Sequence, residues 1–137
     1  MNIRRVGGMA LREMRSQALS QRIGFRDLAK CALGVQEAEL RAYLMLLKGG
    51  PSTVQQVARG MRRSRPTAQR ILNNLVSKGL AARSESALRG GGRLYSYEAV
   101  PLERVKAMIR AVVDEWYERF ISVLEGEGIG EPGRASA

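Results

Sequence analysis

A cluster of arginine, amide and hydroxyl side chains between positions 62 and 73 has the chemistry needed to contact nucleic acid. Guanidinium groups bind phosphates and guanine edges through paired hydrogen bonds, and side-chain amides match the donor and acceptor on the edge of adenine. These residue types at this spacing favour contact with DNA, although an ordinary solvated helix surface has a similar composition. The side chains concerned are Arg62, Arg63, Arg65, Thr67, Gln69, Arg70 and Asn73.

A helix over residues 64–78 is expected to position this cluster. Ser64 can cap its first turn, and Pro66 is tolerated there because first-turn N–H groups lack intrahelical partners. Gly79 suits the position just after the helix end. Apolar residues at helical spacing form the opposite face, so that Arg70 points outward. These apolar residues are Ala68, Ile71, Leu72 and Leu75.

A shorter helix is expected just before this one, from Thr53 to Arg59, with Ser52 as its N-cap. Gly60 then falls in a tight turn. A short helix, a glycine-containing turn and a longer polar-faced helix are the sequence pattern of a helix-turn-helix. In such a motif we also assign Ser52 to the residues that contact phosphate.

Residues 80–100 are typical of a β-hairpin, with strands over 80–87 and 94–100 and a glycine-rich tip over 89–93. A hairpin after a helix-turn-helix is the wing of a winged helix. Three glycines between Arg89 and Arg93 would let the tip approach a phosphate backbone closely, and Gly91 is included among the phosphate contacts. Glycines also occur at such tips simply because turns need positive φ.

Pro101 precedes a long helix, predicted over 102–124. Its apolar stripe is too long for a small winged helix to bury, so we infer a homodimer in which the stripe meets its copy. Packing back onto residues 9–33 is the alternative. The stripe is interpreted as an interface core and not as a cofactor pocket. Its members are Val105, Met108, Ile109, Val112, Trp116, Phe120 and Val123.

The whole chain is predicted to divide into four segments. Residues 1–24 form a basic N-terminal arm with a helix from Met9 to about Gln21, and this arm either touches phosphates or is a solvated tail. Residues 25–100 form the winged helix-turn-helix, including helices over 26–33 and 35–48. Residues 101–125 form the dimerisation helix, and residues 126–137 a flexible tail. The fold class is therefore mainly α, within α+β.

The charge of the chain is large and unevenly placed. Lysine and arginine number 23 against 13 acidic residues, which gives a formal net charge of +10. Acidic residues concentrate after Glu103, whereas Glu85 is the one acid between Pro51 and Arg93. A solvated surface would mix the signs, so the clustering favours a nucleic-acid partner. The basic residues of that segment are Arg59, Arg62, Arg63, Arg65, Arg70, Lys78, Arg83, Arg89 and Arg93.

Several classes of function are disfavoured by what the sequence lacks. Without histidine, and with Cys31 as the sole cysteine, an internal disulfide and the usual zinc sites are excluded. No nucleophile–base pair or phosphate-binding loop is found, so we expect neither an enzyme nor a cofactor. No run of about 18 apolar residues and no secretory signal occur, so a cytoplasmic, nucleoid-associated location is expected. Cys31 beside Lys30 could be a redox-sensitive thiol, although an ordinary buried cysteine is commoner.

Residues 33–101 resemble the TrmB-like branch of archaeal winged-helix transcription regulators. The resembling segments are LGVQEAELRAYL (33–44), GPSTVQQVA (50–58), residues 65–80 and YSYEAVP (95–101). MarR-like and other small archaeal regulators share this pattern of helices and wing. The resemblance implies a dimeric DNA-binding repressor or activator with the second helix of the motif in the major groove. Larger TrmB-like proteins carry a C-terminal sugar-binding domain, which is not expected here, so no small-molecule ligand is expected either.

The sequence thus predicts a homodimeric regulator of transcription that binds double-stranded DNA. Arg65, Thr67, Gln69, Arg70 and Asn73 would face bases. A winged-helix protein-interaction module, or a chromatin-associated protein without sequence preference, is the alternative. The predicted phosphate contacts are Ser52, Arg62, Arg63, Arg89, Gly91 and Arg93.

Overall fold

The computed structural model describes residues 5–6, 9–10 and 23–126. Within these residues two antiparallel hairpins and five helices occur. In chain order the elements are β1 (Arg5–Val6), β2 (Met9–Ala10), α1 (Phe25–Leu33), α2 (Glu37–Gly49), α3 (Val54–Met61), α4 (Arg65–Ser77), β3 (Ala81–Ala87), β4 (Arg93–Ala99) and α5 (Leu102–Leu124). The fold is a winged helix, mainly α, in which α3 and α4 form the helix-turn-helix and β3–β4 the wing.

Helix α4 forms where the sequence predicts it. The Ser64 hydroxyl accepts a hydrogen bond from the Thr67 N–H at 3.3 Å, and Pro66 lies in the first turn. At the other end Gly79 has φ 80°, and its N–H donates to the Val76 carbonyl at 3.1 Å. The Leu80 N–H donates to the Leu75 carbonyl at 2.9 Å. These two bonds form a Schellman motif, which satisfies the last carbonyls of the helix.

The predicted cap of α3 was wrong by one residue. Thr53 is the N-cap: its hydroxyl accepts from the Gln56 N–H at 3.2 Å, and the Gln56 carboxamide oxygen accepts from the Thr53 N–H at 2.8 Å. This reciprocal pair is a capping box. The Ser52 backbone instead pairs with Tyr97 of β4, through bonds of 2.9 and 2.7 Å. Ser52 is therefore held beside the wing.

The turn between α3 and α4 also differs from the prediction. Gly60 lies inside α3, where a Cβ atom would overlap the end of the Met45 side chain, so glycine permits close packing of α3 on α2. The left-handed residue of the turn is Arg62, with φ 56°. The Arg63 N–H donates to the Ala58 carbonyl at 3.0 Å and completes the turn.

The wing is a regular hairpin with a five-residue tip, residues 88–92. Ala81 lies opposite Ala99 at its base, and Ala87 opposite Arg93 at its end. Gly91 and Gly92 have φ 93° and 83°, which glycine adopts without strain. Arg93 was predicted in the tip, but it is the first residue of β4, because its pairing with Ala87 extends the ladder by one step.

The N-terminal prediction was partly wrong. Met9 and Ala10 were assigned to a helix, yet they pair as a strand with Val6 and Arg5. A Gly-Gly dipeptide between short segments favours a hairpin, and the helical interpretation overlooked it at positions 7 and 8. The rest of the predicted helix, residues 11–21, and the predicted tail from 127 onward lie outside the described residues.

One core joins all the elements from α1 to α5. It is centred on α2 and α4, and the Tyr43 hydroxyl of α2 donates to the Val100 carbonyl at 2.7 Å. Helix α5 contributes Val105 and Ile109 to this core, and its later turns leave it. The largest side chains that are almost fully buried are Tyr43, Tyr97, Leu40, Leu46, Leu72, Leu75, Leu80, Val57 and Val105.

Candidate nucleic-acid interface

An exposed basic surface covers the turn before α4 and the outward face of α4. Arg62, Arg63, Arg65 and Arg70 are all exposed. None of these four guanidinium groups forms an ion pair with an acid within residues 23–126. On α1, in contrast, Arg26 and Lys30 share the carboxylate of Glu37 at 2.6 Å each. The four arginines therefore offer their charge to an external partner.

The edge of α4 nearest the wing carries two of the predicted base-reading residues. Gln69 Nε2 donates to Asn73 Oδ1 at 3.0 Å and to the Tyr97 hydroxyl at 2.8 Å. Tyr97 is 1% exposed, so its hydroxyl is a fixed point at the base of the wing. Sequence reasoning did not identify this role of Tyr97, because a contact across 28 positions leaves no local pattern.

The opposite edge of α4 is fixed to α2 by a buried carboxylate. Glu39 Oε1 accepts from Lys78 Nζ at 2.5 Å, and Glu39 Oε2 accepts from Asn74 Nδ2 at 2.9 Å. Lys78 also donates to the Gly34 carbonyl at 2.9 Å. Lys78, counted among the basic residues of this segment, is thus paired within the fold, although its side chain is 28% exposed. From the sequence Glu39 was interpreted only as a first-turn acid favoured by the helix dipole. Its contact with α4 was not predicted, although its spacing of four residues from Tyr43 places it on the same face of α2.

The ionisation of Glu39 is set by opposing effects. Burial by itself raises the pKa of Glu39, since a charged carboxylate is poorly solvated there. The hydrogen bonds from Lys78, the Gln36 N–H and Asn74 outweigh burial, so that the pKa lies below its ordinary value. The carboxylate is therefore charged at neutral pH and holds α4 at a fixed angle to α2.

Thr67, the remaining predicted base contact, belongs to the helix cap. Its hydroxyl accepts from the Ser64 hydroxyl at 2.9 Å, and the residue is half-buried on the flank of α4. Its hydroxyl is less available for an external partner than the side chains of Arg65 and Arg70.

The predicted wing contacts divide into two groups. Arg89 and Gly91 lie exposed in the tip. Arg93 forms an ion pair with Glu85 across the hairpin, and Arg83 stacks on the ring of Tyr95 at 4.6 Å. Between the wing and the helix-turn-helix lies a cleft of about 150 Å³. The cleft is lined by Thr53, Val54, Gln55, Arg65, Gln69, Arg93, Leu94 and Tyr95.

The apolar stripe of α5 becomes progressively more exposed along the helix. Val105 and Ile109 are buried in the core of the single chain, which removes them from any surface that a second copy could contact. Met108, Val112 and Trp116 are half-buried. From Val113 to the end of the helix, five large apolar side chains are exposed: Val113, Tyr117, Phe120, Val123 and Leu124.

The environment of Cys31 differs from the one expected. Burial raises the pKa of the Cys31 thiol, and the nearby charge of Asp27 raises it further. The lowered pKa that was expected from the neighbouring Lys30 is therefore not found. A raised pKa disfavours the reactive thiolate.

Among the described residues no group of three or more histidine, cysteine or acidic side chains is arranged to hold a metal ion. No helix in that part of the chain is long and apolar enough to cross a membrane.

The comparisons with known proteins agree with this geometry. Residues 29–103 match the family model described as "Sugar-specific transcriptional regulator TrmB". Uncharacterized protein MJ1503 of Methanocaldococcus jannaschii is 33% identical over 108 residues, which are 77% of this chain and 82% of that protein. Uncharacterized protein MJ1082 of the same organism is 39% identical over 92 residues, 67% of this chain and 76% of that protein.

Among solved structures, the "Possible transcriptional regulator from Methanosarcina mazei Go1" is similar, with a TM-score of 0.68 and 25% identity. The match covers 75% of this chain and 88% of that one. The family match spans more than half of the chain and includes the whole helix-turn-helix and wing. The chain therefore belongs to the TrmB family of transcriptional regulators, which are DNA-binding winged-helix proteins and not enzymes.

Proposed function

We propose that the protein regulates transcription as a homodimer that places α4 in the major groove of DNA and the tip of the wing on the phosphate backbone. The observation that carries this proposal is the exposed charge of Arg62, Arg63, Arg65 and Arg70 on one surface, none of which pairs with an acid within the described residues. A polyanion is the partner that neutralises such a surface.

The shape of α4 supports major-groove binding. The B-DNA major groove, about 12 Å wide, admits one α-helix. Both edges of α4 are fixed to the fold, by Tyr97 on one side and Glu39 on the other, so its outward face is held rigidly. We assign base contacts to Arg65, Gln69, Arg70 and Asn73, while Thr67 supports them through the helix cap.

Phosphate contacts are assigned by position. Arg62 and Arg63 lie in the turn that precedes α4, and Arg89 and Gly91 lie at the tip of the wing. Such contacts fix the orientation of a protein on the duplex and carry no sequence information by themselves. Ser52 and Arg93 are lesser candidates, because the Ser52 hydroxyl donates to the Gly50 carbonyl at 3.0 Å and Arg93 is paired with Glu85.

The distal half of α5 supports the homodimer. Phe120 is 63% exposed and Tyr117 62%, on a helix of 23 residues whose first turns alone reach the core. An apolar stripe of this kind marks an interaction surface, and the same stripe on a second copy is a complementary partner. We propose that residues 25–100 bind DNA and that residues 101–125 dimerise.

Selection of bound duplexes from a random pool tests this function. A homodimer is expected to enrich a two-fold symmetric site whose half-sites are about one helical turn, or a multiple of it, apart. The double variant Arg65→Ala, Arg70→Ala should lose the enrichment. Arg110→Ala is the control, because Arg110 is an exposed arginine on α5, beside a groove between α1 and α5. Failure to retain any duplex at low salt would contradict the proposal.

A further inference from the structure

We propose that Gln69 and Asn73 act as one adenine-reading pair and that Tyr97 is the residue that positions it. This inference rests on the proposed function, in which the outward face of α4 meets base edges. Its basis is the hydrogen-bond chain from the wing through Gln69 to Asn73.

Both N–H donors of the Gln69 side chain are occupied by these two hydrogen bonds. A carboxamide nitrogen carries two hydrogens, and Gln69 Nε2 donates one to the Tyr97 hydroxyl at 2.8 Å and one to Asn73 Oδ1 at 3.0 Å. Gln69 Oε1 and Asn73 Nδ2 have no hydrogen-bond partner among residues 23–126. The pair therefore leaves one acceptor, Gln69 Oε1, and one donor group, Asn73 Nδ2, for an external partner.

This pattern fits adenine and opposes guanine. In the major groove adenine presents the N6 amino donor beside the N7 acceptor, so Gln69 Oε1 can accept from N6 while Asn73 Nδ2 donates to N7. Guanine presents two acceptors, O6 and N7, and would place O6 against the Gln69 oxygen. If both amides are reversed, the tyrosine hydroxyl donates instead of accepting, and the pair still offers one donor and one acceptor.

Tyr97 has the rigidity that a positioning residue needs. It is 1% exposed, and its backbone bonds to Ser52 at 2.9 and 2.7 Å fix it at the base of the wing. Without the hydroxyl, one hydrogen of Gln69 Nε2 becomes available. Gln69 and Asn73 could then both donate, which is the pattern that guanine requires. Loss of the Tyr97 hydroxyl should therefore relax discrimination between adenine and guanine.

The experiment measures affinity for duplexes in which each A·T pair of the selected site is replaced by G·C. Gln69→Ala and Asn73→Ala are expected to lose preference at the same pair, which identifies the position that they read. The wild-type protein should prefer A·T there by roughly 5- to 150-fold, the range of one bidentate contact. Tyr97→Phe should bring the two affinities close together.

Tyr43→Phe is the matched control. Tyr43 is also buried, and its hydroxyl makes one bond of 2.7 Å, but to the Val100 carbonyl and not to α4. The control should lose stability to an extent similar to Tyr97→Phe and keep the A·T preference. In the double variant Gln69→Ala, Tyr97→Phe, the preference should be no lower than with Gln69→Ala alone.

A G·C pair at the position sensitive to Gln69→Ala would overturn the inference. Different positions for Gln69→Ala and Asn73→Ala, or an unchanged preference in folded Tyr97→Phe, would overturn it as well. Tight binding without any sequence preference would also overturn it, while leaving the proposed DNA binding intact. Absence of binding to every duplex would overturn the proposed function together with the inference.

Discussion

Arg70 and Arg89 are both exposed arginines, and their different positions predict different roles in the proposed DNA complex. Arg70 lies on the outward face of α4, and Arg89 lies at the tip of the wing. Arg70→Ala is expected to cost about 1–3 kcal/mol on the selected site and to relax sequence preference at one base pair. Arg89→Ala should weaken all sequences alike, because a phosphate contact carries no sequence information. Titrations of each variant with specific and random duplexes measure both effects.

The control for this pair of variants is Arg110→Ala, which should change neither affinity. The division of tasks is wrong if Arg70→Ala and Arg89→Ala both reduce the affinities for specific and random DNA by the same factor.

Arg62 combines backbone strain with an exposed charge. Its φ of 56° is a left-handed conformation that is unfavourable for any residue with a Cβ atom. Arg62→Gly should therefore raise the free energy of unfolding by about 0.5–1 kcal/mol, the strain relieved less the added entropy of the unfolded chain. The same change should weaken DNA binding, because the proposed phosphate contact of Arg62 would be lost.

Urea denaturation and DNA titration of Arg62→Gly measure the two quantities separately. Arg63→Gly is the control, because φ of Arg63 is not positive and no strain is relieved there. A loss of stability in Arg62→Gly would show that the left-handed conformation is not strained, and unchanged DNA affinity would exclude Arg62 from the interface.

At the scale of elements, the contact between α2 and α4 is expected to depend on pH through Glu39. Its pKa is lower in the folded chain than the value of about 4.3 expected when unfolded. Its contribution is therefore fully present above that value and is lost as the pH falls through the folded pKa. Glu39→Gln should cost about 1–3 kcal/mol at pH 7, and the difference from wild type should shrink below about pH 4.

Urea denaturation of both proteins between pH 7 and pH 3 measures this difference. Glu37→Gln is the control: the Lys30 hydrogen bond lowers the pKa of Glu37, but the side chain is exposed and its pairs contribute little. A difference between wild type and Glu39→Gln that does not vary with pH would mean that the charge of Glu39 is not what stabilises the contact.

The elements themselves were predictable because their signals are local. The cap at Ser64, the positive φ at Gly79 and the bounds 102–124 of α5 follow from residues a few positions apart. The contacts between elements were not predictable. Gln69 meets Tyr97 across 28 positions, and Lys78 meets Glu39 across 39. Such polar pairs depend on packing angles that no local pattern specifies, and they determine which side chains of the interface stay available.

At the scale of the whole molecule, dimerisation is expected to depend on the distal turns of α5. Phe120→Glu places a charge in the exposed apolar stripe, where a dimer would have to bury it without a partner. The variant should sediment as a monomer and bind DNA more weakly, because two half-sites are no longer linked. Analytical ultracentrifugation measures the oligomeric state.

Ala111→Glu is the matched control, because Ala111 is an exposed position on the face of α5 opposite the stripe. It should sediment like the wild type. Equal sedimentation of Phe120→Glu and wild type would show that the exposed apolar side chains in the last turns of α5 are not part of the dimer interface.

The arginine surface around α4 is expected to bind DNA by neutralising phosphates. The most direct test is the affinity for one duplex across a series of salt concentrations. The logarithm of the affinity should fall with the logarithm of the salt concentration by about 0.9 for each phosphate contact. Arg63→Ala removes one contact per subunit, so its slope should be shallower by about 0.9 for each subunit bound. A flat salt dependence in the wild type, or identical slopes in wild type and Arg63→Ala, would contradict the claim.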